Sequence, residues 1–304
     1  MVYKLKIISI LFFVILIFSS SDYKAYQIYT KTGKKVDFED VIKSSAESDF
    51  VFFGELHNNP ICHWLELELT KKLYEKKKDK LILGAEMFET DDQLKIDEYF
   101  AGLIKQRSFE TEAKLWPNYS TDYKPFFEFA KEKKLKFVAT NIPRRYASYV
   151  AKNGLKSLKN LSKEAKKFLP DLPIKANMEL ESYKKMESMN MGMKKKKSKM
   201  PKKMMIKKKS QKIHIAEAQA SKDASMSYFI LEYWKKKKTF LHFNGTYHSD
   251  NYEGIVYFIK EEKPKSKIIT IATVMEENIN EWNKENENLA DFIIVVPNNM
   301  TTTY

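Results

Sequence analysis

The sequence predicts an α/β fold: a mostly parallel central sheet flanked by helices, with a smaller helical lid subdomain. Short apolar runs of strand length recur along the chain and alternate with segments whose apolar residues have helical spacing. Strands that alternate with helices pair in parallel through right-handed crossovers. Hydrophobic residues make up 43% of the 304 positions, which is enough to bury one large core.

The N-terminus has the organisation of an export signal. Two lysines precede a 12-residue segment, 7–18, that is apolar at every position but one, and three serines follow it. Twelve residues match the apolar part of a secretory signal better than a membrane span, which needs about 20. We expect a signal peptide at 1–25, cleaved between Ser19 and Tyr26, and a periplasmic or membrane-associated protein. An uncleaved N-terminal anchor is the alternative.

The first part of the predicted domain, 26–304, is a hairpin followed by a strand–helix unit. A glycine-containing turn joins the two hairpin strands, which we expect at an edge of the sheet. Apolar residues at Ile61, Leu65, Leu69 and Leu73 have the spacing of a helix. The predicted elements are hairpin strands at 26–30 and 35–38, a short helix at 39–46, a strand at 49–53 and a helix at 60–76.

The rest of the chain repeats the strand–helix pattern around one long insertion. The insertion, about 91–132, is too long for a simple crossover and predicts two amphipathic helices joined by the aromatic loop 115–123. This loop either walls a flat apolar ligand or uses Trp116 and Tyr119 to pin the lid to the sheet. The further predictions are strands at 81–85, 136–140, 239–243, 268–274 and 291–296, a helix at 213–235 and a helix-like segment at 276–289.

Polar side chains stand where four of these strands end. Because the carboxyl ends of parallel strands share one edge of a sheet, we expect them to meet there. Carboxylate and imidazole together suit either a divalent metal ion or an acid/base pair. The strand-end residues are Glu55 and His57, Glu86, Asn141 with Arg144, and His248.

Two further histidines have different predicted surroundings. His242 lies inside an apolar strand and is predicted to be a hydrogen-bonded core residue. His63 lies one helical turn beyond His57, either on the helix surface or within reach of the strand-end site.

The positive charge of the chain is concentrated in one segment. The net charge is +14, but the segment 194–212 holds 11 lysines and no acidic residue, which leaves about +3 for the remainder. A Lys/Met-rich stretch of this kind, about 186–212, buries too little apolar surface to fold and predicts a disordered loop. A nucleic-acid binder is excluded because no recognition motif accompanies the charge. Cys62, the single cysteine, excludes an intrachain disulfide.

Six separated motifs resemble, in order, those of the ChaN-type haem-binding uptake proteins of the Tiki superfamily. The resemblance covers about residues 26–297. The motifs are Gly54-Glu55-x-His57-x-Asn59 with His63, Glu86-Met87-Phe88, Trp116 followed by Tyr123-x-Pro125, Ala139-x-Asn141-x-Pro143-Arg144, Ala218-Gln219 with Asp223 and Met226, and Gly245-x-x-His248.

The resemblance implies an exported α/β protein that binds haem in bacterial haem and iron uptake. It implies tyrosine ligation of the iron, a homodimer with two haems face to face, and an outer-membrane haem receptor as partner, without catalytic turnover. Tyr119, Tyr123 and Tyr146 are the candidate ligands, His63 is the alternative ligand, and Arg144 is placed to pair with propionates.

The resemblance also leaves a second function open. Relatives in the wider superfamily include metal-dependent peptidases and esterases, which use the corresponding Glu and His positions for hydrolysis. A hydrolase of this kind would use Glu55, His57, Glu86 and His248 of this chain with a divalent metal. The chain departs from the family in two features. It lacks the lipoprotein cysteine after its apolar run, and it carries the Lys/Met-rich segment, whose thioethers are soft ligands for haem iron or copper. The lysines of that segment would attract propionates or an anionic membrane surface.

Overall fold

The computed structural model describes residues 24–188 and 213–304. Nearly all of the predicted signal peptide and most of the predicted Lys/Met-rich loop lie outside the described residues, so both stay predictions. Within the described chain one sheet is formed by β1 (Gln27–Thr30), β2 (Lys35–Val36), β3 (Phe50–Glu55), β4 (Leu81–Glu89), β5 (Lys136–Asn141), β6 (Thr239–Gly245), β7 (Ile268–Glu276) and β8 (Phe292–Pro297).

Helices connect these strands and cover both faces of the sheet. No helix of the described residues has the length and apolar character needed to cross a membrane. The helices are α1 (Phe38–Ala46), α2 (Pro60–Lys77), α3 (Gln93–Phe100), α4 (Gln106–Glu112), α5 (Lys124–Glu132), α6 (Arg144–Asn153), α7 (Lys163–Lys166), α8 (181–188), α9 (Ile215–Tyr233) and α10 (Ile255–Glu262).

The sheet is mostly parallel, as predicted. Its order is β2-β1-β8-β7-β3-β6-β4-β5, and the six strands from β8 to β5 are parallel to one another. β1 pairs antiparallel with β8 and with β2. The predicted hairpin therefore lies at one edge of the sheet, and the α/β fold class is confirmed.

Each face of the sheet is buried under its own set of helices. Successive side chains of a strand point to opposite faces. In β3, Val51 and Phe53 pack in the core formed with α2 and α5. Phe50 and Phe52 pack in a second core, with Ile230 of α9. Every residue of β3 is buried, so the strand shows no alternation of apolar and polar residues.

The insertion between β4 and β5 forms three helices, α3, α4 and α5, where the sequence predicted two, and it is held by stacked aromatic rings. The ring of Phe127 on α5 lies 4.8 Å from that of Phe88 on β4 and 5.2 Å from that of Phe109 on α4, measured between centroids. These rings join the insertion to the core under α2, so the insertion packs as part of the domain.

Two further predicted elements differ from the structure. The helix-like segment 276–289 contains only a short 3-10 turn, Lys284–Asn286, among the described residues. The side chains of Asn278 and Asn283 accept hydrogen bonds from backbone N–H groups two residues on, at 3.1 and 3.0 Å, which favours turns over a helix. Strand β4 continues to Glu89, with a register shift after Ala85 against β5, so Glu86 lies within the strand and not at its end.

Candidate functional site

The carboxyl edge of β3 is shaped by a glycine and delivers Glu55 to the face covered by α2. A Cβ on Gly54 would lie 2.9 Å from the carbonyl oxygen of Ile271, so a side chain there would collide with β7. Glu55 follows Phe53 by two residues and therefore points to the same face. Its side chain is buried between α2 and the loop before α5.

The first group of polar side chains surrounds Glu55. Tyr123 donates its hydroxyl hydrogen to Glu55 Oε1, and His57 Nδ1 lies 2.7 Å from the same oxygen. His63 on α2 places Nδ1 2.9 Å from Glu66 Oε2 and 3.9 Å from Glu55 Oε2. All of these residues except His57 are buried, so the group is closed to solvent on the α2 side.

Burial and neighbouring charges set the protonation of this group. Burial alone would raise the pKa of Glu55, but the imidazoles of His63 and His57 lower it to about 2. Burial raises the pKa of Glu66 well above its usual value, and the charges of Glu55 and Asp122 raise it further. Burial opposes a charged imidazole at His57, but the contact with Glu55 raises its pKa overall. The first group therefore favours an ionised Glu55 beside a neutral Glu66.

The second group lies on the opposite face of the sheet, around Glu86. Glu86 Oε1 lies 3.1 Å from His248 Nε2 and 3.5 Å from the Lys222 ammonium, and its Oε2 accepts a hydrogen bond from Gly245 N at 3.0 Å. His248 Nδ1 donates to Asp223 of α9. Asp223 accepts a second hydrogen bond from the Tyr183 hydroxyl, at 2.7 Å.

The second group holds His248 between two carboxylates. Burial alone would lower the pKa of His248, but the charges of Glu86 and Asp223 raise it to about 9. Burial would raise the pKa of Glu86, but the charge of His248 lowers it well below its usual value. His248 is therefore cationic at neutral pH and forms a buried ion pair with both acids.

The two groups approach each other where His57 packs against Gly245. A Cβ on Gly245 would lie 2.8 Å from His57 Nε2 and 3.5 Å from Glu86 Oε2, so glycine makes this approach possible. The indole ring of Trp116 meets the His57 ring edge-on, with 4.7 Å between centroids. The His57 side chain is 39% exposed, and it forms the opening of the site to the surface.

The remaining predicted residues of the strand ends make local contacts. Asn141 donates to the backbone oxygen of Glu86 at 2.9 Å. Arg144, whose side chain is 57% exposed, forms an ion pair with Glu89 and donates to the backbone oxygen of Lys114 at 2.8 Å. Tyr146 is half-buried on α6. The guanidinium of Arg145 lies over its ring.

The aromatic loop before α5 is packed inward. Tyr119 and Tyr123 are buried, with Tyr119 against the ring of Phe127 and Tyr123 bonded to Glu55. Trp116 contacts His57 and Tyr123. These contacts correspond to the prediction that the loop pins the lid to the sheet. Iron ligation by either tyrosine would require the loop to open.

The predicted core histidine and the second candidate histidine are both buried. His242 lies 2.8 Å from the Thr140 hydroxyl and 3.1 Å from Asn244 Oδ1, and burial lowers its pKa to about 4. Its predicted role as a hydrogen-bonded core residue is confirmed. His63 is buried under the lid and is not on the helix surface.

Two members of the first group were not among the predicted residues. Glu66 lies one turn after His63 on the buried stripe of α2, together with Cys62 and Leu69. A carboxylate on an apolar stripe is the sequence signal that could have found it. Asp122 lies 3.6 Å from His63 Nε2, but it belongs to the aromatic loop, where an acidic residue carries no comparable sequence signal.

Comparisons with known proteins agree with the fold. The chain matches the family model described as haem-binding uptake, Tiki superfamily, ChaN, over residues 41–259. No curated protein shows significant sequence similarity to it. Its structure is similar to that of ChaN of Campylobacter jejuni, solved with cofacially bound haem, with a TM-score of 0.64 and 17% identity over 90% of this chain and 98% of that chain. A Bacillus cereus protein matches with a TM-score of 0.48 and 12% identity over 88% and 93% of the two chains.

Proposed function

The chain belongs to the haem-binding uptake family ChaN of the Tiki superfamily, and on this premise we propose that it binds haem outside the cytoplasm in bacterial haem and iron uptake. The observation that carries the proposal is the family match over 41–259, a range that contains both polar groups of the site. Binding and release of haem require no turnover, so the proposal assigns no catalytic residue.

The carboxyl edge of the sheet has the chemistry that haem requires. Haem needs an iron ligand, a flat apolar wall and cations for its propionates. The half-exposed His57 beside Trp116 supplies an imidazole and an aromatic wall at this edge. The exposed Arg144 guanidinium supplies a cation for a propionate.

The phenols that reach the surface at this edge are the proposed iron ligands. Tyr146 is half-buried at the start of α6, and Tyr247, directly after β6, is 62% exposed. Neither has to break the packing that holds Tyr119 and Tyr123 inside the protein. We therefore place Tyr146 and Tyr247 before the two buried tyrosines, and His57 is the alternative ligand.

Haemin titration followed by the Soret band tests the proposal. We expect saturable binding in the wild-type protein and a shifted, weakened Soret band in Tyr146→Phe or Tyr247→Phe. Tyr233→Phe is the matched control, because Tyr233 lies near the amino ends of the strands, away from the proposed site. Its ring lies under the ammonium of Lys136 at the start of β5. The absence of saturable haemin binding would contradict the function. An unchanged spectrum in the double variant would contradict only the ligand assignment.

We extend the proposal to a homodimer that holds two haems face to face. The likeness to ChaN of Campylobacter jejuni, whose solved structure has cofacial haem, supports this arrangement. Sedimentation with and without haemin, combined with the haem-to-chain ratio, tests it. A monomer in the presence of saturating haemin would contradict it. Export and delivery by an outer-membrane haem receptor belong to the same proposal and are tested by cell fractionation and receptor pull-down.

A metal-dependent hydrolase is the second candidate, and one observation favours it. His248 donates from Nδ1 to Asp223 while its Nε2 faces Glu86. A metal ion that displaced the Nε2 proton would meet an imidazole already oriented by a carboxylate, as in metal-ligating histidines. A divalent metal held here would polarise a carbonyl group or activate water. Chelator-sensitive peptidase or esterase activity that is lost in both Glu55→Gln and His248→Ala, with the fold retained, would establish this candidate in place of the binder.

A further inference from the structure

The first group contains three buried ligand atoms gathered in a small volume. One oxygen from each of Glu55 and Glu66 and one ring nitrogen of His63 all lie within 4.8 Å of one another. Zinc–ligand bonds of about 2.0–2.2 Å place the ligand atoms of one ion about 3–4 Å apart. Side-chain rotations that move each ligand atom by about 1 Å would therefore bring all three to bonding distance of one ion.

The hydrogen bonds of His63 direct one ring nitrogen at the two carboxylates. Nε2 lies 3.1 Å from the backbone oxygen of His57, which can only accept, so this nitrogen carries a proton. In a neutral imidazole Nδ1 then presents a lone pair toward Glu66 Oε2 and Glu55 Oε2. With Glu66 ionised, the three atoms would be acceptors that face one another and would require a cation between them; in the metal-free protein the proton that Glu66 holds takes that place.

The two carboxylates also have buried oxygen atoms without a donor. Glu55 Oε2 and Glu66 Oε1 receive no hydrogen bond from an N–H or hydroxyl group of the described residues. The two carboxyl groups can hydrogen-bond to each other only while one of them holds a proton. Within the same part of the chain, the ion-pair partners of Glu55, Glu66 and Asp122 are histidines, with no lysine or arginine among them. Buried carboxylate oxygens without donors or cations are costly, so a bound cation would stabilise the group.

We propose that Glu55, His63 and Glu66 bind a divalent transition-metal ion, separate from the haem at the sheet edge. One imidazole and two carboxylates suit Zn²⁺, Mn²⁺ or Fe²⁺. The ion would join the end of β3 to α2, with Glu55 oriented by the Tyr123 hydroxyl and His63 by the backbone of His57. Three protein ligands leave one position of a tetrahedral ion without a protein ligand. Because all three ligands are buried, that position would be closed to a substrate, and we assign the ion a structural role.

Metal analysis of the purified, haem-free protein tests the site. The protein is stripped with a chelator and reloaded anaerobically with Zn²⁺, Mn²⁺ or Fe²⁺, and the bound metal is then measured after gel filtration. We expect about one ion per chain and a higher thermal midpoint in its presence. Glu66→Gln, which keeps the volume of the side chain, should lose the ion. Glu68→Gln, on the same helix but with its carboxylate paired to Lys71 at the surface, should retain it.

Two further measurements keep the test decisive. Circular dichroism shows whether Glu66→Gln is folded, and Co²⁺ absorption of the wild-type and Glu68→Gln proteins reports a nitrogen–oxygen site without altering its ligands. Failure of all the metals to bind, an ion retained in Glu66→Gln, or an ion lost in Glu68→Gln would overturn the proposal and leave a shared proton as the positive species. Haemin binding by Glu66→Gln separates this result from the proposed haem function.

Discussion

At the scale of single residues, the direction of each side chain decides which chemistry the strand ends support. Glu55 points to the α2 face and meets His63 and Glu66. Glu86 points to the α9 face and meets His248. The two carboxylates and two imidazoles predicted at the carboxyl ends of the strands therefore belong to two groups. These groups come close where His57 packs against Gly245.

We expect Gly245→Ala to displace His57. The added Cβ would lie 2.7 Å from His57 Cε1, which is shorter than a van der Waals contact, so the imidazole must leave its place beside Trp116. Overpacking of this kind costs about 1–3 kcal/mol of unfolding free energy, measurable by urea titration. In the double variant with His57→Ala the cost of Gly245→Ala should largely disappear. Additive losses would show that the clash is not the cause.

The ion pair of His248 predicts a loss of stability in mild alkali. The pKa of His248 is raised from 6.5 to about 9 by Glu86 and Asp223 against the opposing effect of burial. A histidine whose pKa is higher in the folded state stabilises the protein fully below pH 6.5, and that contribution is lost as pH rises through about 9. The unfolding free energy should fall by ~3 kcal/mol across this window.

Chemical denaturation between pH 6 and 10 measures this dependence. The His248→Gln variant is the control, because it cannot take up this proton and should show a shallower fall, to which the raised pKa of His57 still contributes. An identical slope in the wild-type protein and the variant would assign the dependence to other groups.

At the scale of elements, the insertion is held by aromatic packing that periodicity predicted only in part. The sequence predicted helices on both sides of the aromatic loop, and α3 and α5 lie there. The stacking of Phe127 on Phe88 and Phe109 depends on the meeting of three separate segments. The prediction of a helix at 276–289 was wrong for a local reason, because asparagine side chains there accept hydrogen bonds from nearby backbone N–H groups.

We expect Phe127→Ala to destabilise the protein by about 3–5 kcal/mol, the usual cost of removing a buried aromatic ring. Phe127 is fully buried and stacks between β4 and α4. Phe129→Ala is the matched control on the same helix, because the Phe129 ring is only half-buried and meets Tyr74. Equal losses in the two variants would contradict the assignment of Phe127 to the centre of this packing. Urea unfolding followed by fluorescence gives both values.

At the scale of the whole molecule, one large sheet carries both polar groups and the proposed haem edge. The Lys/Met-rich segment, of which the structure describes only 186–188 at the end of α8, is predicted to be an insertion. Deleting 193–212 should change the unfolding free energy by less than about 1 kcal/mol, because loop length enters closure entropy only logarithmically. Thermal and urea unfolding of the deletion variant measure the change.

The same deletion variant tests a role of this segment in haem capture. A tenfold or greater loss of haemin affinity with stability retained would show that the segment takes part in binding. Attraction between lysines and propionates should weaken as salt rises, whereas ligation by methionine should not. Haemin titrations at low and high salt distinguish these two contributions.

The sequence by itself determined the α/β fold, the order of the strands along the chain, the family and the polar residues near the strand ends. These follow from local periodicity and from motifs read in order. The tertiary structure decided which residues share a site. Strands β3 and β4 are buried on both faces, so their sequences lack the alternation that tells one face from the other. Glu66 and Asp122 joined the first group only because α2 and the lid fold over Glu55, contacts that depend on packing between distant segments.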